Sequence, residues 1–206
     1  MTTNQKTHWD SVYSTAEENE VSWFQETPTV SLELLALVNA KPTDAIVDVG
    51  GGASRLVSSL LAEGFAHITV LDLSAAALAA SRAHLGENEG KVTWIAADAT
   101  EWEPPQVYDI WHDRAAFHFL TSEKDQQAYV KRLKRGLRVG GHFIAGTFAL
   151  DGPEKCSGLP VARHNSEPLS RLLGPQFSLV DSRRHDHVTP RGTNQKFQFS
   201  TFRHGA

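Results

Sequence analysis

A chain of 206 residues, 40% of them hydrophobic, can bury one sizeable core and seldom needs two. Its formal net charge of −4 gives no general attraction to nucleic-acid backbones or anionic lipid. A single cysteine, Cys156, excludes an internal disulfide framework and a cysteine-cluster zinc site, and no run approaches the length of a membrane helix.

The start, Met1 to Lys6, lacks the apolar core of a secretory signal, so a cytoplasmic protein is expected. His8 to Asn39 reads as an irregular, aromatic-bearing arm followed by a helix after Pro28, with Leu32, Leu35, Leu37 and Val38 as its apolar positions. Regular alternation begins at a strand over Ala45–Val49, then a helix over Ala53–Glu63 stopped by Gly64. His67–Leu71 follows as a strand and Ala75–Leu85 as a helix, with Ser74 as N-cap and Gly86 as stop. Val92–Ala96 and Tyr108–His112 supply two more strands, the second after a turn at Pro104-Pro105. Glu123–Gly136 reads as a helix before the strand His142–Phe148.

Strands alternating with helices imply a parallel sheet covered on both faces. Phe177–His185 and Lys196–Arg203 break the rhythm, because only the short turn around Thr189-Pro190-Arg191-Gly192 divides them. That link permits a hairpin but no parallel crossover, so one of these strands runs antiparallel to the rest. The fold class expected is α/β: a doubly wound, mostly parallel seven-stranded sheet with a C-terminal antiparallel hairpin. It is read as one domain over residues 1–206, with an N-terminal arm at 1–40 and the core at 41–206.

The first strand delivers Asp48 and the cluster Gly50-Gly51-Gly52. Glycines there let backbone approach a ligand closely, and the next helix offers unpaired N–H groups to an anionic part of it. Asp72 closes the second strand about twenty residues on, where α/β nucleotide folds place a ribose-binding carboxylate. The third glycine of a dinucleotide fingerprint is replaced by Arg55, and no Walker-type ending is present, so a bound adenosine compound other than NAD or ATP is expected.

These residues resemble the class I S-adenosylmethionine-dependent methyltransferases over nearly the whole chain. The first motif is Val47-Asp48-Val49-Gly50-Gly51-Gly52 and the second Leu71-Asp72-Leu73-Ser74; the third is Ala97-Asp98-Ala99 and the fourth Tyr108-Asp109-Ile110-Trp111-His112-Asp113. The resemblance implies S-adenosyl-L-methionine as cofactor. It implies ribose hydroxyls on Asp72, adenine packed on Leu73, and the adenine edge at Asp98 and Ala99, with Asp48, Gly50, Gly52 and Asp113 also at the cofactor. Trp9-Asp10, Tyr13 and Val21-Ser22-Trp23-Phe24-Gln25 form an arm similar to the leaders of the translation-factor and citrate synthase lysine methyltransferases. There Trp9, Tyr13 and Trp23 would face the sulfonium, since aromatic faces stabilise cations once water is excluded, while Phe24 staples the arm.

Ligands in open α/β sheets bind beyond the carboxyl ends of strands, which makes His112, Asp113, Arg114 and His118 the candidate catalytic set. His112 or His118 could take a proton, Asp113 orient an imidazole or the cofactor, and Arg114 hold an anionic acceptor. Alternation forbids His112 and Asp113 from facing the site in the same way. The alternatives at these positions are an Asp113–Arg114 ion pair, a packed His118, and Asp98 as a turn cap. An Asn/Asp-Pro-Pro-Tyr-like motif, usual where amide or adenine nitrogen is methylated, is absent after the fourth strand. The turn-rich loop Asp151 to Pro160 lies at the same end of the sheet, with Cys156 in it as a packing residue. Ten histidines show no helical zinc pattern, and His185 with His187 does not complete a site, so no metal is expected.

The reading is a methyltransferase for a small molecule, with a soft nucleophile such as a thiol favoured because little base catalysis is then required. No nucleic acid or membrane partner is expected. The alternatives are a protein lysine methyltransferase, which needs an acidic groove, and a non-catalytic cofactor-binding module; an NAD-dependent oxidoreductase fits Arg55 and the terminal hairpin poorly.

Overall fold

A computed structural model describes residues 3–15 and 20–205. Met1 and Thr2 of the leader and residues 16–19 of the arm lie outside the described residues. Seven strands form one sheet in the order β3-β2-β1-β4-β5-β9-β8. These are β1 (Ala45–Val49), β2 (His67–Asp72), β3 (Val92–Ala96), β4 (Tyr108–Arg114), β5 (Leu137–Phe148), β8 (Phe177–Val188) and β9 (Asn194–His204). The five strands from β3 to β5 are mutually parallel, and β9 pairs antiparallel with both β5 and β8, as the short turn between the last two requires. β6 (Lys155–Cys156) and β7 (Leu159–Pro160) make a separate small hairpin in the loop after β5.

The helices are α1 (Thr3–Thr15), α2 (Thr29–Leu37), α3 (Leu56–Ala62), α4 (Ala75–Leu85), α5 (Glu123–Gly136) and α6 (Ser166–Leu173). Two apolar clusters, one per face of the sheet, hold them in place. Ile46, Ile68, Val70, Ile110 and Ile144 bury against Leu34 of α2 and Leu56 and Leu60 of α3. Val47, Val49, Trp111 and Phe143 bury against Tyr129 and Leu133 of α5 and Leu169 of α6. Strands covered on both faces read as near-continuous apolar runs, which is why β1 and β2 were plain in the sequence.

Local chemistry sets several boundaries. Ser74 accepts from the Ala77 N–H as the expected N-cap of α4 and donates its hydroxyl to Asp10 Oδ1 at 2.7 Å, tying α1 to that helix end. Gly64 and Gly86 stop α3 and α4 with φ of +86° and +55°. Four expectations are corrected. The arm before Pro28 is not wholly irregular: α1 is a 13-residue helix, and its Ser/Thr/Asn-rich sequence carried little propensity to announce it. In α2 the expected Leu35 is buried and Leu32 and Val38 pack against the same cluster, but Leu37 is 41% exposed and the fully buried positions also include Val30, Ser31 and Leu34. α3 starts at Leu56, because residues 53–55 belong to the loop that follows the glycines. β5 begins at Leu137, immediately after α5, and takes up Gly140 and Gly141, which in sequence look like a break.

Candidate active site

The carboxyl ends of β1, β2 and β4, with α1 and the residues around Trp23, enclose an open cleft of about 650 Å³. Gly50 bends away from β1 with φ +71°, and a Cβ there would collide with the Cβ of Ala116, so the loop lies hard against the turn after β4. Asp72, at the end of β2, accepts from the Gly52 N–H at 3.0 Å and the Ser74 N–H at 2.8 Å. Burial lifts its carboxyl to about 6 despite those two donors. Leu73, Ala97 and Ala99 extend the lining as an apolar shelf beside that carboxylate.

Opposite lies an aromatic wall. Trp9 and Tyr13 sit one helical turn apart on α1, and Trp9 meets Trp23 edge to face at 5.6 Å and Phe119 at 5.0 Å. Arg114 holds this wall: its Nη1 donates to the Trp23 carbonyl at 3.0 Å, and its guanidinium lies 5.0 Å from the Phe197 ring centroid. Burial lowers the guanidinium to about 10, which leaves it cationic at neutral pH. Its Nε and Nη2 are buried without a partner among the described residues. The Cys156 thiol reaches the same cleft from β6 and is pushed up to about 11 by burial, so it is a protonated wall residue.

A second cleft of about 500 Å³ continues over the glycine loop and shares Tyr13, Trp23, Gly50 and Arg114 with the first. It is lined by Asp48, His112 and Ser31, with Arg55 standing 5.7 Å from the Phe24 ring centroid. Arg55 of the loop thus meets Phe24 of the arm. Register places Asp48 beside His112 on adjacent parallel strands, and Asp48 Oδ1 is 2.7 Å from His112 Nδ1. His112 Nε2 is 2.9 Å from Ser31 Oγ.

Trp9, Tyr13, Trp23, Gly50, Asp72, Leu73, Ala99 and Arg114 therefore meet in the first cleft, and Asp48 and His112 in the second. Gly52 lines neither cleft and is tied to the site by its bond to Asp72. Three further candidates are not brought to either lining. Asp113 points to the opposite face of the sheet from His112, as alternation demands, and accepts from the Ala116 and Phe117 N–H groups and from Tyr129 Oη at 2.6 Å. Burial raises it to about 6. It is a structural anchor for the turn and α5, and the Asp113–Arg114 ion pair does not form. His118 is fully buried against Phe119 and Phe148 with neither ring nitrogen partnered, and burial drops it to about 3, so it is a packed neutral ring and no proton acceptor for the cleft. Asp98 uses Oδ1 to accept from both the N–H and the hydroxyl of Thr100, the turn-cap alternative, while its neighbours Ala97 and Ala99 line the cleft.

Tyr129 tests the anchor role, because its hydroxyl donates to Asp113 and accepts from Trp111 Nε1 at 2.9 Å. Tyr129→Phe leaves two buried polar groups short of a partner, and urea unfolding should show a loss of about 1.5–3 kcal/mol. Ligand affinity at the cleft should not move. Sequence reasoning missed Ser31 and Phe119, which belong to no motif. A Cβ on Gly51 would collide with Asp48 Oδ2, so the middle glycine of the run is required there as well.

No group of three or more His, Cys, Asp or Glu among the described residues is placed to hold a metal ion. His187 instead donates Nε2–H to the Ser22 carbonyl at 2.8 Å, clamping the arm. No helix of the described residues is long and apolar enough to cross a membrane.

A family described as a methyltransferase domain matches residues 46–141. The chain is 27% identical over 158 residues to malonyl-[acyl-carrier protein] O-methyltransferase of Anoxybacillus flavithermus, covering 75% of this chain and 59% of that one. It is 36% identical over 163 residues to trans-aconitate 2-methyltransferase of Streptomyces avermitilis, covering 75% and 55%. It thus spans a little over half the length of these relatives. The crystal structure of 1,6-didemethyltoxoflavin-N1-methyltransferase from Burkholderia thailandensis, with bound 1,6-didemethyltoxoflavin and S-adenosylhomocysteine, superposes with a TM-score of 0.76 at 23% identity, covering 98% of this chain and 88% of that one.

Proposed function

We propose that this chain, whose residues 46–141 match a methyltransferase domain, is a class I S-adenosylmethionine-dependent methyltransferase that transfers the methyl group of S-adenosylmethionine to a small, soft nucleophile such as a thiol. One observation carries the reading: two joined clefts present a hydroxyl-accepting carboxylate at one end and unsatisfied opposite charges at the other. Asp72 and the Leu73–Ala97–Ala99 shelf suit a nucleoside, while Asp48 Oδ2 and Arg114 Nε and Nη2, all buried and without a hydrogen-bond partner among the described residues, suit an amino-acid zwitterion. The residues present fit the cofactor.

When bound, S-adenosylmethionine supplies an electrophilic methyl group on a sulfonium. Asp72 would accept the ribose hydroxyls, and Trp9, Tyr13, Trp23 and Phe119, which line the same cleft, would exclude water from the cationic centre. Methyl transfer needs an aligned attacking lone pair. The titratable groups in the first cleft are poor bases for producing one: burial pushes both the Tyr13 phenol and the Cys156 thiol up, Arg114 is cationic, and Asp72 serves the ribose. An acceptor that ionises by itself is therefore favoured. A free thiol with pKa of about 8.5 is a few per cent thiolate at neutral pH and so supplies its own lone pair. A protein lysine acceptor, whose ammonium has a pKa of about 10.4, would need a base that this lining does not offer.

The test is calorimetric titration with S-adenosylmethionine and S-adenosylhomocysteine, followed by transfer of labelled methyl to hydrosulfide and to simple alkyl thiols. Binding of both nucleosides and label on the thiols is expected. Absence of binding would overturn the methyltransferase reading, and label on polypeptides alone would replace the small-molecule acceptor with a protein one.

A further inference from the structure

The sides of the first cleft differ in chemistry. Asp72, Leu73, Ala97 and Ala99 make the nucleoside side, and Gly50 and Arg114 open it to the second cleft. Trp9, Trp23, Ala115, Phe119 and Cys156 make a third side. Once the nucleoside and amino-acid ends of the cofactor take the first two, the third remains for the acceptor, which must approach in line with the methyl group.

That side carries no charge. Among the described residues the whole lining holds one cation and one anion, Arg114 and Asp72, and the cofactor reading uses both. The Cys156 thiol, kept protonated by burial, is the one titratable group on the third side. An acceptor tail of either sign would therefore be buried without a counter-ion. Rings and sulfur suit a different guest, since thiol and thioether sulfur packs favourably against aromatic rings. The shape of this side is fixed as well. Cys156 sits on the β6–β7 hairpin, and two residues beyond it the Ala162 N–H donates to the His118 carbonyl at 2.7 Å, next to Phe119. His118, a neutral ring, backs Phe119 at 4.5 Å and rests on Phe148 at 4.8 Å, while Trp9 meets Phe119 from the other direction at 5.0 Å. Phe119 and Cys156 are only 7% and 4% exposed, so close packing leaves neither one room to swing aside for a bulkier acceptor.

We infer that Phe119 and Cys156 set the depth of a charge-free acceptor subsite, walled by Trp9 and Trp23, which admits short thiols with uncharged tails and rejects those bearing a carboxylate or an ammonium. This rests on the proposed transfer to a thiol and adds to it the acceptor class and the residues that select it. The thiol gives its proton to water, its sulfur forms a bond to the methyl carbon, and the bond from that carbon to the sulfonium sulfur breaks, leaving a thioether and S-adenosylhomocysteine.

Cys156 is the only cysteine of the chain, so labelling it reads the subsite without turnover. In protein saturated with S-adenosylhomocysteine, mass spectrometry should show methyl methanethiosulfonate modifying Cys156 at least about tenfold faster than the sulfonatoethyl and trimethylammonioethyl reagents, each rate divided by that on a free thiol. In turnover, kcat/KM per thiolate should be at least about tenfold higher for ethanethiol than for mercaptoacetate or 2-aminoethanethiol. Phe119→Leu and Cys156→Ala should each raise kcat/KM for benzyl mercaptan relative to ethanethiol by about tenfold, and either position carries the test should the other fold poorly. S-Adenosylhomocysteine affinity should stay within about twofold in both, which separates acceptor selection from damage to the cofactor site. Labelling that is absent or equally fast with the charged reagents, or a thiol preference that neither substitution moves, would overturn the subsite. S-Adenosylhomocysteine binding without transfer to any thiol would overturn the thiol reading and the acceptor class together, and no binding at all would overturn the cofactor reading on which both stand.

Discussion

Asp72→Ala should weaken S-adenosylhomocysteine binding by about 1.5–3 kcal/mol, the range for losing hydrogen bonds to a charged group. The substitution acts twice. It removes the acceptor for the ribose hydroxyls, and it releases the Gly52 and Ser74 N–H groups that hold the glycine loop and the start of α4. 5′-Methylthioadenosine should lose affinity to the same degree, because it carries the same ribose. The carboxyl sits at about 6 through burial, so the anion that accepts the hydroxyls is depleted as pH falls through that value. Affinity should then drop by up to about tenfold per pH unit below it, whereas Asp72→Asn should give a weak and flat profile. The sign reverses for the unliganded protein. A folded value above the ordinary carboxylate range means that this group's contribution to stability is present at low pH and is lost as pH rises through about 6. Asp113 adds the same sign from the other face of the sheet. Calorimetric titrations between about pH 5 and 8 separate the two trends, and affinity that ignores both Asp72→Ala and pH would remove Asp72 from the ribose site.

Arg114→Gln should cost about 2–5 kcal/mol in S-adenosylhomocysteine affinity, as expected when one partner of a buried charge pair is truncated. Three features go together: the buried donors Nε and Nη2, unpartnered among the described residues, the bond to the Trp23 carbonyl and the guanidinium over the Phe197 ring. Arg114→Lys should recover little of the loss. An ammonium keeps the charge but has neither the planar face for Phe197 nor the fork that reaches Trp23 and the cleft at once. Methylthioadenosine should be affected much less than S-adenosylhomocysteine, in contrast to Asp72→Ala. Unchanged S-adenosylhomocysteine affinity with a raised KM for a thiol would reassign the guanidinium from the amino-acid end to the acceptor.

The sequence by itself determined the alternation of strands and helices, the closing antiparallel hairpin, the glycine loop, the Ser74 cap and the Asp72 carboxylate. All of these rest on local chemistry: apolar runs, turn residues, a cap hydroxyl, and a carboxylate at a strand end. It also determined that His112 and Asp113 face opposite ways, since period-two alternation follows from the backbone. Only the tertiary structure decided which of the two meets the clefts. That choice depends on which face of β4 receives α2 and which receives α5, and side chains far apart in the chain settle it. The same holds for α1, whose sequence is a poor helix former until Trp9 and Tyr13 have Trp23 and Phe119 to pack against. Ser31 became legible only when α2 was laid against β4, because a serine in an apolar helix is silent until a partner 81 residues away fixes its proton. His118 went the other way, its chemistry suppressed by burial that no spacing in the sequence records.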